Sequence, residues 1–253
     1  MTSVGSKISR SRIWETGEVG SALDVAWEMI ATGKMACWDS VLAKSQTHGR
    51  GQLRRYWQSP PGNIYAALRL PREYPFDCPG ASVAVSGLFC RAFLENGIHV
   101  MIKWPNDIVY VVNGQPKKLA GILLEERGNT LLAGIGINVC WAPPDHAMRE
   151  NAAMPATTVS EIFPEYPASS NLTLFWSRIV NCMYSEYVSK LFKEQWPGVV
   201  SHTLLWLGQE VELSDGRESV TGTFRGISMD GAVCISCNGH AVVRHSGSLR
   251  VLE

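Results

Sequence analysis

The sequence predicts an α/β chain of the α+β kind, with a small antiparallel barrel at its end. Three observations predict it. Amphipathic helical periods and period-2 apolar runs share the first four-fifths of the chain. Asn-Gly and Gly-Asn pairs join several of those runs directly, which makes their strands antiparallel neighbours. From Leu204 onward, short β-rich runs are separated by Ser214-Asp215-Gly216, Asp230-Gly231 and Asn238-Gly239, with no helical stretch.

Ser21 to Ile30 reads as the first helix: Leu23, Ala26, Trp27 and Ile30 recur at helical spacing, Ser21 caps the start and Gly33 ends it. A strand is expected over Cys37 to Ala43, leading into a cationic loop. After "SPPG", Ile64, Ala66, Leu68 and Leu70 alternate as in a half-buried strand. "PGASVAVSGLFCRAFLENG" is a buried helix from near Pro79, closed by Asn96-Gly97. Three close strands follow. Val100 to Lys103 runs into "WPND", "IVYVV" turns at Asn113-Gly114, and "LAGILLEE" turns at Gly128-Asn129 into "LLAGIGINVC". "APPDHAMRENAAMPA" reads as a proline-broken surface segment, and Leu172 to Glu194 as one long helix stopped by Pro197-Gly198.

The 253 residues allow one large domain, or one plus a small one. A content of 45% hydrophobic and 18% charged residues fits a soluble globule with a core. With 23 basic and 23 acidic residues there is no global field to attract nucleic acid, so any anion site must be local. The polar start, with Lys7, Arg10 and Arg12, holds no apolar signal core. No apolar run approaches the roughly 18 residues of a membrane span. Seven scattered cysteines, an odd number, favour reduced thiols in a cytoplasm over a disulfide framework. Only Cys234 and Cys237 have ligand-like spacing; they lie in a strand-like run without a second pair, which favours a structural role.

Three clusters carry candidate chemistry. Between Gly49 and Arg55, three arginines and two glycines crowd into seven residues. Gly49 and Gly51 offer positive φ and close backbone approach. Arg50, Arg54 and Arg55 offer forked donors for carboxylate or phosphate, and Trp57 can pack the loop down. The bland alternative is a solvated basic turn. With no ligand to pair its arginines, the stretch from 48 to 57 is expected to be mobile. In the second cluster, Lys103, Asn106, Asp107 and Lys118 fall at strand ends or hairpin edges, where side chains converge; Lys118 opens an apolar strand, a costly place for an idle amine. An isolated Pro-Asn-Asp would otherwise read as a turn. In "GIGIN", Gly134 and Gly136 suggest close approach to a strand, which Asn138 ends; packing glycines are the alternative.

Taken in order, "QTHGRGQLRRYWQSPPGNIY", "KWPND", "KLAGILLEE", "GIGIN" and "PATTVSE" resemble the biotin–protein ligases over roughly residues 13 to 253. The resemblance implies a mixed sheet flanked by helices, like the catalytic domain of class II aminoacyl-tRNA synthetases, over residues 1–200, and an SH3-like barrel over 204–253. It implies a cytoplasmic ligase that joins biotin to ATP with Mg²⁺ and passes biotin to a lysine of a biotin carboxyl carrier protein. Neither nucleic acid nor membrane is an expected partner, and a homodimer stays open. The form expected is the one without an N-terminal DNA-binding domain.

Carried over by motif, Ser21, Gln46, Gly49, Arg50, Gly51, Gln52 and Lys118 would bind biotin. Arg55, Trp57, Asn106, Asn138 and Arg250 would bind ATP, and Lys118, Arg50 and Asp107 would serve catalysis, with Asp107 orienting the incoming amine. Departures from the family pattern are Ala22-Leu23 in place of Thr-Asn, Gln52 in place of arginine, and Arg54 where glycine is frequent. A ligase for lipoate or octanoate, or a non-catalytic biotin or adenylate sensor, are the alternatives.

Overall fold

A computed structural model of the chain describes residues 11–144, 154–164 and 171–252, with the backbone alone at Arg54. The segments 145–153 and 165–170 lie outside the described residues, and with them most of the proline-broken stretch. Seven strands make one mixed sheet: β1 (Ile13–Val19), β2 (Ser40–Gln46), β3 (Ile64–Leu70), β4 (Met101–Lys103), β5 (Asp107–Val112), β6 (Gln115–Arg127) and β7 (Thr130–Ile137). Their spatial order is β1-β2-β3-β7-β6-β5-β4. Only β1 and β2 run parallel; every other neighbour is antiparallel.

Both sheet faces are covered, and the strand alternation sorts the side chains between them. Tyr65 and Ala67 of β3 face helix α1 (Ala22–Ala31), while Ile64, Ala66 and Leu68 join the larger core. On that side lie α2 (Ala81–Glu95), α4 (Leu172–Tyr187) and α5 (Lys190–Ser201), with the short α3 (Val159–Ile162) near the β7 end. Phe89 and Phe93 of α2 are fully buried, each worth about 1.5–3 kcal/mol. As expected, Ser21 caps α1 by accepting from the Leu23 amide at 3.3 Å, and Gly33 leaves the helix at φ +69°. Asn113 and Gly114 both take positive φ at the β5–β6 turn. At the β6–β7 turn only Gly128 does.

Three expectations need correcting. The edge strand β1 was not foreseen. Strand β2 begins at Ser40 instead of Cys37, because the Asp39 carboxylate accepts from the Ala36 and Arg12 amides at 2.9 and 2.8 Å and holds a turn there. The expected long helix is two helices. Ser189 is extended (φ −65°, ψ 142°) and caps α5 by accepting from the Phe192 amide; Pro197 is accommodated inside α5 by a distortion at Gln195.

Strands β8 (Glu210–Ser214), β9 (Ser219–Ile227), β10 (Val233–Cys237), β11 (His240–Arg244) and β12 (Ser248–Val251) form the antiparallel C-terminal sheet, in the order β11-β10-β9-β8-β12. It docks by backbone contact. A Cβ on Gly80 would lie 2.3 Å from the Asp230 carbonyl oxygen and 2.4 Å from the Gly231 Cα. Beside that contact, the buried Trp104 donates its indole N–H to the Gly231 carbonyl at 3.2 Å. No helix among the described residues is long and apolar enough to cross a membrane.

Candidate active site

One row of directly paired residues crosses the α1 face of the large sheet. It passes through Thr16 (β1), Ala43 (β2), Tyr65 (β3), Gly136 (β7), Gly121 (β6), Asp107 (β5) and Lys103 (β4). Paired residues share a face, so the row grades from apolar through two bare glycines to charge. Gly134 lies two residues along β7 from Gly136, on the same face. A Cβ there would lie 2.8 Å from Leu23 Cδ1, and one on Gly136 only 2.5 Å from Trp57 Cε2. Gly136 therefore admits the Trp57 ring against the strand, whereas Gly134 is a packing glycine covered by the buried Leu23.

Lys118 reaches the same face. A register shift after Ile108 lets its stem pass 3.3 Å from where a Gly121 Cβ would be. Its Nζ lies 2.6 Å from Asp107 Oδ1 and 5.1 Å from the Trp57 ring centre. Two buried asparagines brace this strand from behind. Asn106 donates to the Ile122 carbonyl at 2.7 Å, and Asn138 to the Lys118 carbonyl at 3.4 Å.

The cationic loop is folded over the glycine floor and held there by hydrogen bonds. Gln46 anchors its base by accepting from the Ala22 amide at 2.9 Å and donating to Ser59 at 2.9 Å. Higher up, the Trp57 amide donates to the Gly49 carbonyl, and the Gly51 amide to the Arg55 carbonyl. Gly49 is required for this crossing, since a Cβ would lie 2.2 Å from the Trp57 carbonyl oxygen; Gly51 has no such contact. Neither glycine takes positive φ. That conformation falls on Leu53, at φ +55° in the 3₁₀ turn Gln52–Arg54.

Arg50 is paired as well. Its guanidinium forks onto both Asp24 oxygens at 2.9 Å, and its Nε donates to Glu125 at 3.1 Å. The Asp24 hydrogen bonds, opposed by partial burial and aided by the Glu125 charge, raise its pKa further. Glu125 also accepts from the Trp27 indole at 2.9 Å. Sequence reasoning missed Asp24 and Glu125. Asp24 sits in the first turn of α1, where its side chain points at the loop. Glu125 lies four residues after Gly121 on β6, hence on the same face. Those spacings were the available signal.

Ser21, Gln46, Gly49, Trp57, Lys118 and Asp107 are thus joined by a chain of contacts around the floor, with Arg50 held beside them by Asp24 and Glu125. Gln52 and Arg55 lie at the loop's tip, where the Arg55 amide donates to the Gln52 carbonyl. Arg250 is exposed on β12 and donates to Glu212, its direct partner on the neighbouring strand β8. Cys234 and Cys237 are free thiols.

Residues 25–140 match the profile of the biotin/lipoate A/B protein ligase family, and residues 206–248 match that of the biotin protein ligase C-terminal domain. The fold superposes on a biotin protein ligase from Aquifex aeolicus, solved in complex with biotin and ATP, with a TM-score of 0.75. The two are 26% identical, over 95% of this chain and 98% of that one. The chain belongs to the biotin–protein ligase family. Among curated relatives, the biotin–[acetyl-CoA-carboxylase] ligase of Paracoccus denitrificans is 36% identical over 130 residues, 48% of this chain and 52% of that protein. The bifunctional ligase/repressor BirA of Bacillus subtilis is 37% identical over 113 residues, 42% of this chain and 34% of that protein. The matched region therefore spans about a third to a half of those two ligases.

Proposed function

We propose that this protein joins biotin to ATP and then passes the biotinyl group to a lysine of a biotin carboxyl carrier protein in the cytoplasm. The observation that carries this reading is the graded row. It offers a bare floor for a flat ring, then Lys118 and Asp107 where a carboxylate would emerge, all beneath one folded cationic loop. In this reading residues 1–200 form the catalytic domain and 204–253 an accessory barrel that brings Arg250 to the nucleotide.

Biotin would take the floor over Gly121 and Gly136, displacing Trp57 towards the nucleotide. Ser21, Gln46 and the backbone from Gly49 to Gln52 would hold the ring and side chain. A biotin carboxylate oxygen attacks the α-phosphorus, and the bond to the pyrophosphate oxygen breaks, taking its electron pair with it. Lys118 and Arg50 bring the two anions together and stabilise the charge that develops between them; positioning and cationic stabilisation are the main demands of such an in-line step. Arg55, Asn106 and Asn138 would support the nucleotide. In the second step, the carrier lysine amine attacks the acyl carbon and AMP leaves with the bonding electrons. Asp107 would orient that amine.

Mg²⁺ would arrive as an ion carried by the triphosphate, its usual mode of binding, and Asp107 is the row's own carboxylate that would help to hold it. Among the described residues no three acidic, His or Cys side chains gather into a cage. When bound, the ion would screen charge on the phosphates.

One observation keeps a second acid in view. Where the family pattern has a polar pair, Ala22 and Leu23 are buried and Leu23 packs on Gly134, which suits an apolar acyl chain such as lipoate or octanoate. Incubation with ATP, Mg²⁺ and either biotin or lipoate decides between them. Biotin should give acyl-adenylate and pyrophosphate; release with lipoate alone would overturn the proposal.

A further inference from the structure

A cavity of about 550 Å³ opens where the end of α1 meets the starts of β1 and β2 and the end of β3. Its wall includes Arg12, Lys34 and Arg69, and among the described residues Asp39 is its one carboxylate. Arg69 shares a strand face with Tyr65 but lies four residues further along β3, roughly 13 Å from the row. The cavity is therefore separate from the candidate active site.

The three cations lack anions. Asp39 is buried, and its two oxygens are taken by the Arg12 and Ala36 amides at 2.8 and 2.9 Å. Arg69 donates one N–H to the Met35 carbonyl, and among the described residues no ion pair holds Arg12, Lys34 or Arg69. The sequence before Ser11 adds Lys7 and Arg10 and no acid. The carbonyl end of α1 brings a partial negative charge to the same rim, which three full positive charges outweigh. A concave wall lined by one sign of charge concentrates the opposite ion.

The wall is also built to hold its shape. Trp38 sits in the left-handed region at φ +69°, a costly conformation for a bulky side chain. Three backbone bonds keep it there. The Trp38 amide donates to the Arg69 carbonyl at 2.7 Å, the Arg69 amide to the Asp39 carbonyl at 3.0 Å, and the Asp39 amide to the Ala36 carbonyl at 3.1 Å. The Trp38 ring is buried against Tyr184 and Tyr187, with centroids 5.3 and 5.2 Å away. Backbone strain of this kind collects at ligand clamps and other functional sites. The same turn fixes the points from which Arg12 and Arg69 leave the main chain.

We propose that this cavity is a second anion site, taking a small organic molecule with two or more carboxylate or phosphate groups. Guanidinium forks match both groups, and Lys34 adds a point charge. The volume falls within the range of small-molecule sites. The inference does not depend on the ligase reading, because none of these residues belongs to the row or to the cationic loop.

Cys37, a free and exposed thiol in the same wall, reports occupancy, and the exposed Cys140 serves as control. Citrate is the carboxylate probe and methylenediphosphonate the phosphate-like one, each compared with potassium chloride at equal ionic strength. Alkylation by iodoacetamide is followed by mass spectrometry. With a probe at about ten times its Kd, Cys37 should react about tenfold more slowly and Cys140 within about twofold of its original rate. Without either probe, the anion iodoacetate should favour Cys37 over Cys140 several-fold more than neutral iodoacetamide does, and salt should erode that preference. Arg12→Gln combined with Lys34→Gln, both at exposed positions, should abolish protection and preference alike. Protection by either probe supports the site, and the better probe tells carboxylate from phosphate. Protection that chloride matches, protection that survives the double substitution, or none from either probe overturns the proposal.

Discussion

Gly136 shows how much of this site hangs on a missing Cβ. In Gly136→Ala the new methyl would stand 2.5 Å from Trp57 Cε2, and neither the strand nor a stacked indole can give way by that much. The ring must lift, and the floor is filled. We expect the Kd for biotin to rise at least tenfold, equivalent to about 1.4 kcal/mol, with faster trypsin cleavage at Arg55. An unchanged Kd would remove this floor from the binding site. Lys118→Ala should lower pyrophosphate release roughly 10²–10³-fold, the usual loss for a charge-stabilising contact; more than a third of the parent rate would exclude the role given to it. Arg50 offers a contrast. Its pairs with Asp24 and Glu125 are partly exposed, so Asp24→Asn should cost less than about 1 kcal/mol in urea unfolding. The same change frees one fork of the arginine, and cleavage after Arg50 in the ligand-free protein should quicken several-fold. If cleavage does not change, the Asp24 pair does not hold the loop.

At the scale of elements, what the sequence made legible follows from how local each cause is. Helix α1 was readable because its cap, period and closing glycine all lie within Ser21 to Gly33. The β5–β6 hairpin was readable because Asn113-Gly114 states its own turn. Strand β1 was not, since Glu15, Gly17 and Glu18 break the apolar alternation and the strand is held by parallel pairing to β2 across the whole of α1. The split between α4 and α5 hinges on the Ser189 side chain capping a new start, while Pro197 looked like the stronger signal. Within the site, Lys118, Asp107 and Gly136 were legible as residue types at strand ends. The pairing of Arg50 was not, because Glu125 lies 75 residues away in sequence.

The barrel docks through two glycines, so its attachment is also open to test. Gly80→Ala would set a methyl 2.3 Å from a carbonyl oxygen. Separation or distortion should destabilise the protein by about 1–3 kcal/mol in urea unfolding, as overpacking does. Because Trp104 bonds to Gly231 and leads through Pro105 to Asn106 and Asp107, the change should also lower the rate of biotin transfer. A loss of stability with full activity would show that the barrel contact and the row are independent.

For the whole molecule, alkaline stability reports on groups buried in protonated form. Burial pushes the Cys90 thiol from an ordinary 9.0 to about 12. Tyr65 is raised above its usual 10 chiefly by burial; Tyr187 is raised by burial and by its bond to Glu73. For a raised folded-state pKa, the unfolded chain loses its proton first. The stabilising contribution is therefore complete below the unfolded value and is lost as pH climbs towards the folded one. Unfolding free energy should hold up to about pH 9 and then fall, with Cys90 contributing up to about 1.4 kcal/mol per pH unit between 9 and 12. Cys90→Ala should flatten that slope in urea titrations at pH 8, 9.5 and 10.5; an identical slope would assign the alkaline loss elsewhere.

The row that carries the chemistry takes one residue from each strand, and its two hairpin turns, at Asn113-Gly114 and Gly128-Asn129, stand roughly 20 Å along the strands from it. Length is therefore cheap at those turns and costly inside the strands. A short peptide spliced in at Asn113-Gly114 would leave every pairing in place and could carry a tag or a reporter. Removing one residue between Gly121 and Arg127 would turn half of β6 over, sending Glu125 into the opposite core while Gly121 stayed where it is. The molecule should accept rewriting at its turns and refuse a single deletion in its weave.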